Sequence, residues 1–249
     1  MIEMNKIYNQ DCLDFMRQVP DKFVDMVLTS PPYDDLRTYN GYSFDFESTA
    51  KELFRIVKDG GVIIWVVADQ TKNGSESGTS FKQALYFKEI GFNLHDTMIY
   101  EKNSSTYPAN KDSVRYSQIF EYMFVFSKGK PKTINLIQDK KNIWVGHKDF
   151  SGKLKNEVPE YSPRNNIWKY TTSFNDKTEH PAVFPEQLAN DHIISWSNKG
   201  DLIYDCFMGS GTTAKMALVN NRNFIGSEIS ADYVEIANKR LKQVQKVLF

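Results

Sequence analysis

A strand that passes straight into a helix through two glycines leaves few folds open. In Leu202-Ile203-Tyr204-Asp205-Cys206-Phe207-Met208-Gly209-Ser210-Gly211-Thr212-Thr213-Ala214 an apolar run ends, two glycines follow, and a helical stretch begins. Such a unit carries the chain over to a parallel neighbour, so it belongs in a sheet with helices packed on its faces. Gly209, Gly211 and Ala214 fit the G-x-G-x-x-G/A turn of nucleotide sites, in which glycine permits a tight turn and close approach of a ligand to the backbone. An ordinary strand-to-helix turn can carry the same glycines. What adds weight is Glu228, nineteen residues after Gly209 at the end of the next expected strand, where a carboxylate can accept hydrogen bonds from both hydroxyls of a ribose.

The rest of the chain keeps this rhythm. Short apolar, β-branched runs at 6–8, 24–29, 62–67, 94–100, 121–126, 202–206 and 224–228 predict seven strands. Helical spacing predicts helices over 46–58, stopping at Gly60-Gly61, and over 213–220 and 231–247. The expected fold is therefore α/β, a doubly wound, seven-stranded, mostly parallel sheet. Asn73-Gly74-Ser75-Glu76-Ser77-Gly78 reads as a flexible loop just beyond a strand end, with room for a closing lid.

Residues 128–175 break the pattern with scattered Lys, Asn, Ser and Gly, three prolines, and Trp144 and Trp168, and they read as an irregular insert. The 249 residues balance 31 Lys/Arg with 31 Asp/Glu, so overall charge excludes no partner, but the balance is uneven. From Lys128 to Ser173 there are ten basic and four acidic residues, a net of +6 against −6 for the remainder. A basic insert in an acidic body is either a solvated surface region or a site for a polyanion. Two cysteines, Cys12 and Cys206, argue against a disulfide scaffold or a thiolate zinc site and read as small buried residues. No stretch has the roughly 18 apolar residues of a membrane span, and the first residues lack a basic-then-apolar signal pattern, so a cytoplasmic protein is expected.

Which nucleotide the turn would hold follows from Asp205, directly before the glycines. A dinucleotide sets its pyrophosphate at the helix N-terminus, where a carboxylate is unwelcome. S-adenosylmethionine carries no phosphate, has an ammonium an acid can bind directly or through water, and has a cationic sulfonium that an aromatic face such as Phe207 or Tyr33 can stabilise.

A second stretch, Ser30-Pro31-Pro32-Tyr33, ends the strand at 24–29 in a rigid tip. The exocyclic amine of a nucleobase is a weak nucleophile, because its lone pair is delocalised into the ring. The Ser30 hydroxyl and the Pro31 carbonyl can take the amine's two hydrogens, and the prolines offer no competing N–H and fix their φ angles. Tyr33 offers a face on which an extruded base can stack, a contact of roughly 1–3 kcal/mol, against the few kcal/mol that extrusion requires. A plain turn with a surface tyrosine is the competing reading of these four residues alone.

Together, Thr29-Ser30-Pro31-Pro32-Tyr33 and Asp205-Cys206-Phe207-Met208-Gly209-Ser210-Gly211-Thr212-Thr213 resemble the amino-group DNA methyltransferases, in their beta order: catalytic half, recognition region, donor-binding half. The resemblance spans nearly the whole chain. It implies the Rossmann-like methyltransferase fold in circularly permuted order, with a catalytic half at 1–127, a target-recognition insert at 128–175 and a donor-binding half at 176–249. It implies a catalytic role for Ser30, Pro31, Pro32 and Tyr33, and donor binding by Phe207, Gly209, Gly211, Thr212 and Thr213 with Asp205 and Glu228 as acidic partners. Asn9-Gln10-Asp11-Cys12-Leu13 is similar to the family's adenine-contacting segment, implicating Asp11 and Cys12, although Asp11 also reads as a helix N-cap. His180-Pro181-Ala182-Val183-Phe184-Pro185 resembles the segment whose prolines, Pro185 among them, shape the methionine pocket; His180 reads as structural.

The implied donor is S-adenosylmethionine, with no metal, and the implied partner is double-stranded DNA; a cognate restriction endonuclease and a homodimer stay open, and no membrane is involved. Ser rather than Asp at position 30 favours N4 of cytosine, the more nucleophilic of the two amines, with N6 of adenine as the alternative. Asp34-Asp35 directly after Tyr33 departs from the common pattern and would repel phosphates unless turned away. In the insert, lysines suit phosphates, while Arg164, Asn165, Asn166 or His147 suit base edges. Methylation of a protein glutamine or an RNA base, a DNA-binding module without catalysis, and an NAD oxidoreductase are the other readings.

Overall fold

The computed structural model describes residues 2–32, 45–103, 114–143, 145, 158–171 and 185–248. Its elements run β1 (Lys6–Asn9), α1 (Cys12–Met16), β2 (Val24–Thr29), α2 (Phe46–Ile56), β3 (Val57–Val67), β4 (Thr71–Lys72), β5 (Ser75–Glu76), α3 (Thr79–Glu89), β6 (Asn93–Lys102), β7 (Phe120–Ser127), β8 (Lys140–Lys141), β9 (Tyr161–Ser162), β10 (Ile167–Tyr170), α4 (Glu186–Trp196), β11 (Leu202–Asp205), α5 (Thr212–Val219), β12 (Asn223–Glu228) and α6 (Ala231–Leu248).

Eight strands form one sheet in the order β1-β12-β11-β2-β3-β7-β6-β10. Only β7 runs against its neighbours, pairing antiparallel with β3 and β6. The strands are apolar on both faces because both are covered. Met26, Leu28, Ile64, Val66 and Ile203 pack towards α4, α5 and α6, whereas Val27, Ile63, Trp65, Val67 and Tyr204 pack towards α1, α2 and α3. The connection through α5 leads from β11 to β12, and the one through α2 leads from β2 away to β3 on the other side. The winding thus reverses between β11 and β2, and an open α/β sheet has its crevice beyond the carboxyl ends of the strands at such a point.

The mostly parallel α/β architecture agrees with the sequence, but the sheet has eight strands rather than seven. The added one is β10, inside the stretch expected to be irregular: Ile167-Trp168-Lys169-Tyr170 turns Trp168 and Tyr170 into the core and pairs parallel with β6. Helix α2 ends at Ile56, not at the glycines, because Val57 is already extended and pairs with Val24. Gly60 and Gly61 lie within β3; a side chain on Gly60 would strike the chain arriving from β7, and one on Gly61 would strike Val57 and the Asp25 carbonyl. A Cβ on Gly60 would stand 2.9 Å from the Lys132 Cβ, and the backbone bonds Gly60 N to Lys128 O (2.7 Å) and Lys132 N to Gly60 O (2.9 Å) hold the two together. Residues 73–78, expected as a loop, instead continue a hairpin: β4 pairs with β5, and Asn73 and Gly74 take the two positive φ angles (53° and 78°) that a tight two-residue turn requires.

The glycine turn owes its composition to packing as well as to conformation. Gly211 is the N-cap of α5 with φ 84°, and a Cβ there would lie 2.9 Å from the Ala237 Cβ on α6. Gly211→Ala is expected to destabilise the fold by about 2 kcal/mol or more, measured as a fall in the urea midpoint at unchanged slope.

Candidate active site

Four adjacent parallel strands, β1, β12, β11 and β2, end on one edge, and most of the sequence-predicted site residues stand there. Ser30 follows β2 half-buried, then Pro31 buried and Pro32 half-buried. Asp205 ends β11, Phe207 to Gly211 form the turn, and Thr212 and Thr213 open α5, both buried. Glu228 ends β12, and Asp11 and Cys12 follow β1. Pro185 is buried and caps α4. Tyr33, Asp34, Asp35, Trp144, His147 and the segment from His180 to Phe184 lie outside the described residues.

Two carboxylates organise this edge, and both face inward. Asp205 is 2% exposed. Its Oδ1 accepts from the Thr29 hydroxyl at 2.6 Å and from the Phe207 amide at 3.0 Å, and the Thr213 hydroxyl stands beside it. Burial nevertheless pushes this carboxyl up from 3.8 to about 6; the hydroxyl and amide donors pull against the rise, and the charge of Glu228 adds to it. The Glu228 carboxylate spans from β12 to the turn, accepting the Gly209 amide at Oε2 and the Ser230 amide at Oε1, each at 2.8 Å, and burial raises its pKa too. Gly209, with φ 51°, thus gives its N–H to a carboxylate.

The other candidates have clear local roles. Asp11 caps α1, accepting from the Leu13 amide at 2.8 Å, so the N-cap reading holds whatever else it touches. The Cys12 thiol is buried against the Thr49 hydroxyl and pushed up to about 12, chiefly by burial, while Cys206 is buried beneath the turn. The Phe207 ring stands edge-on to Trp65, with 6.4 Å between centroids.

Three residues the sequence reading passed over hold the turn from outside. Arg240 on α6 donates to the Ser210 carbonyl (2.7 Å) and hydroxyl (2.8 Å), and its other nitrogen reaches Glu186 at 2.9 Å. Glu186 also receives Lys215 from α5, which ties the start of α4, and so Pro185, to the glycine turn. Arg240 lies thirty residues from Ser210, and no local pattern announces a pairing at that distance. In the insert, Arg164 is not free to read a base. It is held by Asp139 and by Asp191 of α4, and Asp191 is also bound by the Tyr170 hydroxyl at 2.7 Å. Asn165 accepts from Lys140, and Asn166 donates to the Thr97 carbonyl.

A doubly wound sheet with a glycine turn and a proline tip on adjacent strand ends at its switch point has the ligand crevice of the Rossmann-like α/β proteins. The family model for N6/N4 methyltransferases, described as DNA methylase, matches residues 24–239, and the chain belongs to that family of amino-group DNA methyltransferases. The orphan methyltransferase M.BamHII of Bacillus amyloliquefaciens is 57% identical over 243 residues, covering 90% of this chain and 91% of that protein. Among solved structures, the M1.HpyAVI complex with S-adenosylmethionine superposes with a TM-score of 0.65 at 25% identity, covering 95% of this chain and 99% of the other. PvuII DNA methyltransferase (cytosine-N4-specific) reaches a TM-score of 0.72 over 97% of this chain and 90% of its own, a likeness of fold at 21% identity.

Because the folded Asp205 carboxyl is raised, its neutral form favours the fold. That stabilisation is complete below a pH of about 4 and is lost as pH rises through about 6, roughly 3 kcal/mol in all. In Asp205→Asn the fall in unfolding free energy from pH 4 to pH 7 is therefore shallower than in the wild type, with Glu228 contributing the same sign in both proteins. Urea titrations across this range measure it, and equal slopes would show Asp205 to be hydrated.

Proposed function

We propose that this chain transfers a methyl group from S-adenosylmethionine to the exocyclic amine of a base extruded from duplex DNA, N4 of cytosine ahead of N6 of adenine. The observation that carries the reading is the adjacency of the Ser30-Pro31-Pro32 tip, at the end of β2, to the glycine turn, at the end of the neighbouring β11.

The residues at the turn suit a cationic donor better than a dinucleotide. A pyrophosphate needs free amides at the helix N-terminus. Here the Gly209 amide is engaged by Glu228, and Asp205 stands below it. Two acids favour a positive ligand and repel a phosphate, which argues against NAD. The bound donor supplies a methyl group on a positively charged sulfur. On this reading Asp205 and Glu228 hold the turn and its negative potential, with the outer lone pairs of Glu228 left to the ribose. The likeness to M1.HpyAVI, solved with the same donor, supports it.

At the tip, the Ser30 hydroxyl and Pro31 carbonyl accept the amine's two hydrogens, Pro31 and Pro32 keep those acceptors fixed, and Tyr33 stacks on the base. The preference for cytosine rests on Ser30, a neutral acceptor that suffices for the more nucleophilic amine. The insert, 128–175, lies along the duplex. Its exposed Lys140 and Lys141 meet phosphates, and bases are read by residues other than the engaged Arg164.

Incubating unmethylated plasmid with protein and donor, then sequencing for modified bases, tests base and site together; an unmodified plasmid overturns the proposal, and N6-methyladenine overturns its preference. Ser30→Ala is expected to lower kcat by about 100-fold. Lys141→Ala is expected to weaken DNA binding evenly across sequences and reduce the salt slope by about one, read by titrating binding against salt.

A further inference from the structure

We infer that Thr29 is a positioning residue for methyl transfer: its buried hydroxyl, clamped to Asp205, sets where the Ser30 and Pro31 acceptors stand relative to the donor turn. The inference rests on the function proposed for that tip and turn. Thr29 is the last residue of β2 and is fully buried, a position where valine would fill the same volume. Its hydroxyl is what valine lacks. That hydroxyl donates to Asp205 Oδ1 at 2.6 Å and receives the Cys206 thiol at 3.6 Å. The same Oδ1 accepts the Phe207 amide at 3.0 Å, so one oxygen atom joins the end of the catalytic strand to the first residues of the donor turn.

Side chains carry this junction because the backbone does not. The ladder between β2 and β11 pairs Met26 with Ile203 and Val27 with Tyr204, and it ends there, three residues short of Ser30. Beyond it a second strap runs the other way, from the Thr213 hydroxyl on α5 to the Leu28 carbonyl at 3.3 Å. Transfer between two bound groups falls steeply with misplacement, by about 100-fold for 1 Å, so a clamp across this unladdered step between tip and turn bears on rate rather than on affinity.

The groups facing Asp205 are Thr29 on β2, Thr213 on α5, Glu228 on β12, the Tyr204 phenol on β11 and the Cys206 thiol just after it, the last two neutral because burial raises them. Among these the Thr29 hydroxyl favours the charged carboxylate, and its loss makes Asp205 easier to protonate.

Thr29→Val and Thr29→Ser are compared with the wild type in single-turnover methylation of duplex DNA at saturating donor, across pH, with donor affinity measured by calorimetry. Thr29→Val is expected to lose about tenfold or more in rate while donor Kd changes by less than about threefold. Its acid limb moves to higher pH, and Thr29→Ser restores both rate and limb. A wild-type rate and limb in Thr29→Val, or equal impairment in both variants, overturns the inference. Should Thr29→Val fail to fold, Thr29→Cys, whose thiol donates only weakly, is read by the same two outcomes. Ser30→Ala in the same assay separates the premises: if it is inactive beside a normal Thr29→Val, the clamp alone is wrong; if it is fully active, the reading of the tip is wrong.

Discussion

A carboxylate taken out of water must be given donors or give up its charge. Asp205 sits buried at the end of β11, one residue beyond the last rung shared with β2. The donors it gathers come from two places, the Thr29 hydroxyl and the Phe207 amide, while the Thr213 hydroxyl beside it is tied to the Leu28 carbonyl. In satisfying one buried charge the protein fixes the strand end, the turn and the start of α5 against one another. Glu228 repeats the arrangement on the next strand with the Gly209 and Ser230 amides, and Arg240 with Glu186 closes the turn from the α4 and α6 side. The groups at this edge are thus already engaged with each other, and an edge held in this way needs little reorganisation when a charged ligand meets it.

The parts of this arrangement that were legible in the sequence are those whose cause is local. The strands at 24–29 and 202–206 are apolar because both sheet faces are covered, and the glycines at 209 and 211 are required by positive φ angles in a turn of a few residues. The proximity of tip and turn followed from the two motifs taken together, and adjacency in the sheet agrees with it. What escaped has causes at long range. Arg240 reaches the turn from a different helix, and Thr29 reads as one more β-branched residue until its partner 176 positions away is known. β10 hides in a polar stretch because only Trp168 and Tyr170 of its four residues face the core, too few to stand out as a period. The hairpin of β4 and β5 was signalled by Asn73-Gly74, but strands of two residues carry no pattern of their own.

The insert enters and leaves the body at two fastened points. On the way in, the Lys128 amine donates to the Phe54 and Val57 carbonyls at the end of α2 and lies over the Phe54 ring, and the backbone from Lys128 to Lys132 is stitched to Gly60. On the way out, Arg164 is gripped by Asp191 of α4, and β10 is laid onto the sheet. Neither fastening uses a residue of the crevice. The stretch between them can therefore be exchanged, lengthened or shortened during evolution like a bit in a chuck. A lineage of such proteins can vary that stretch while the strand ends and the turn stay as they are.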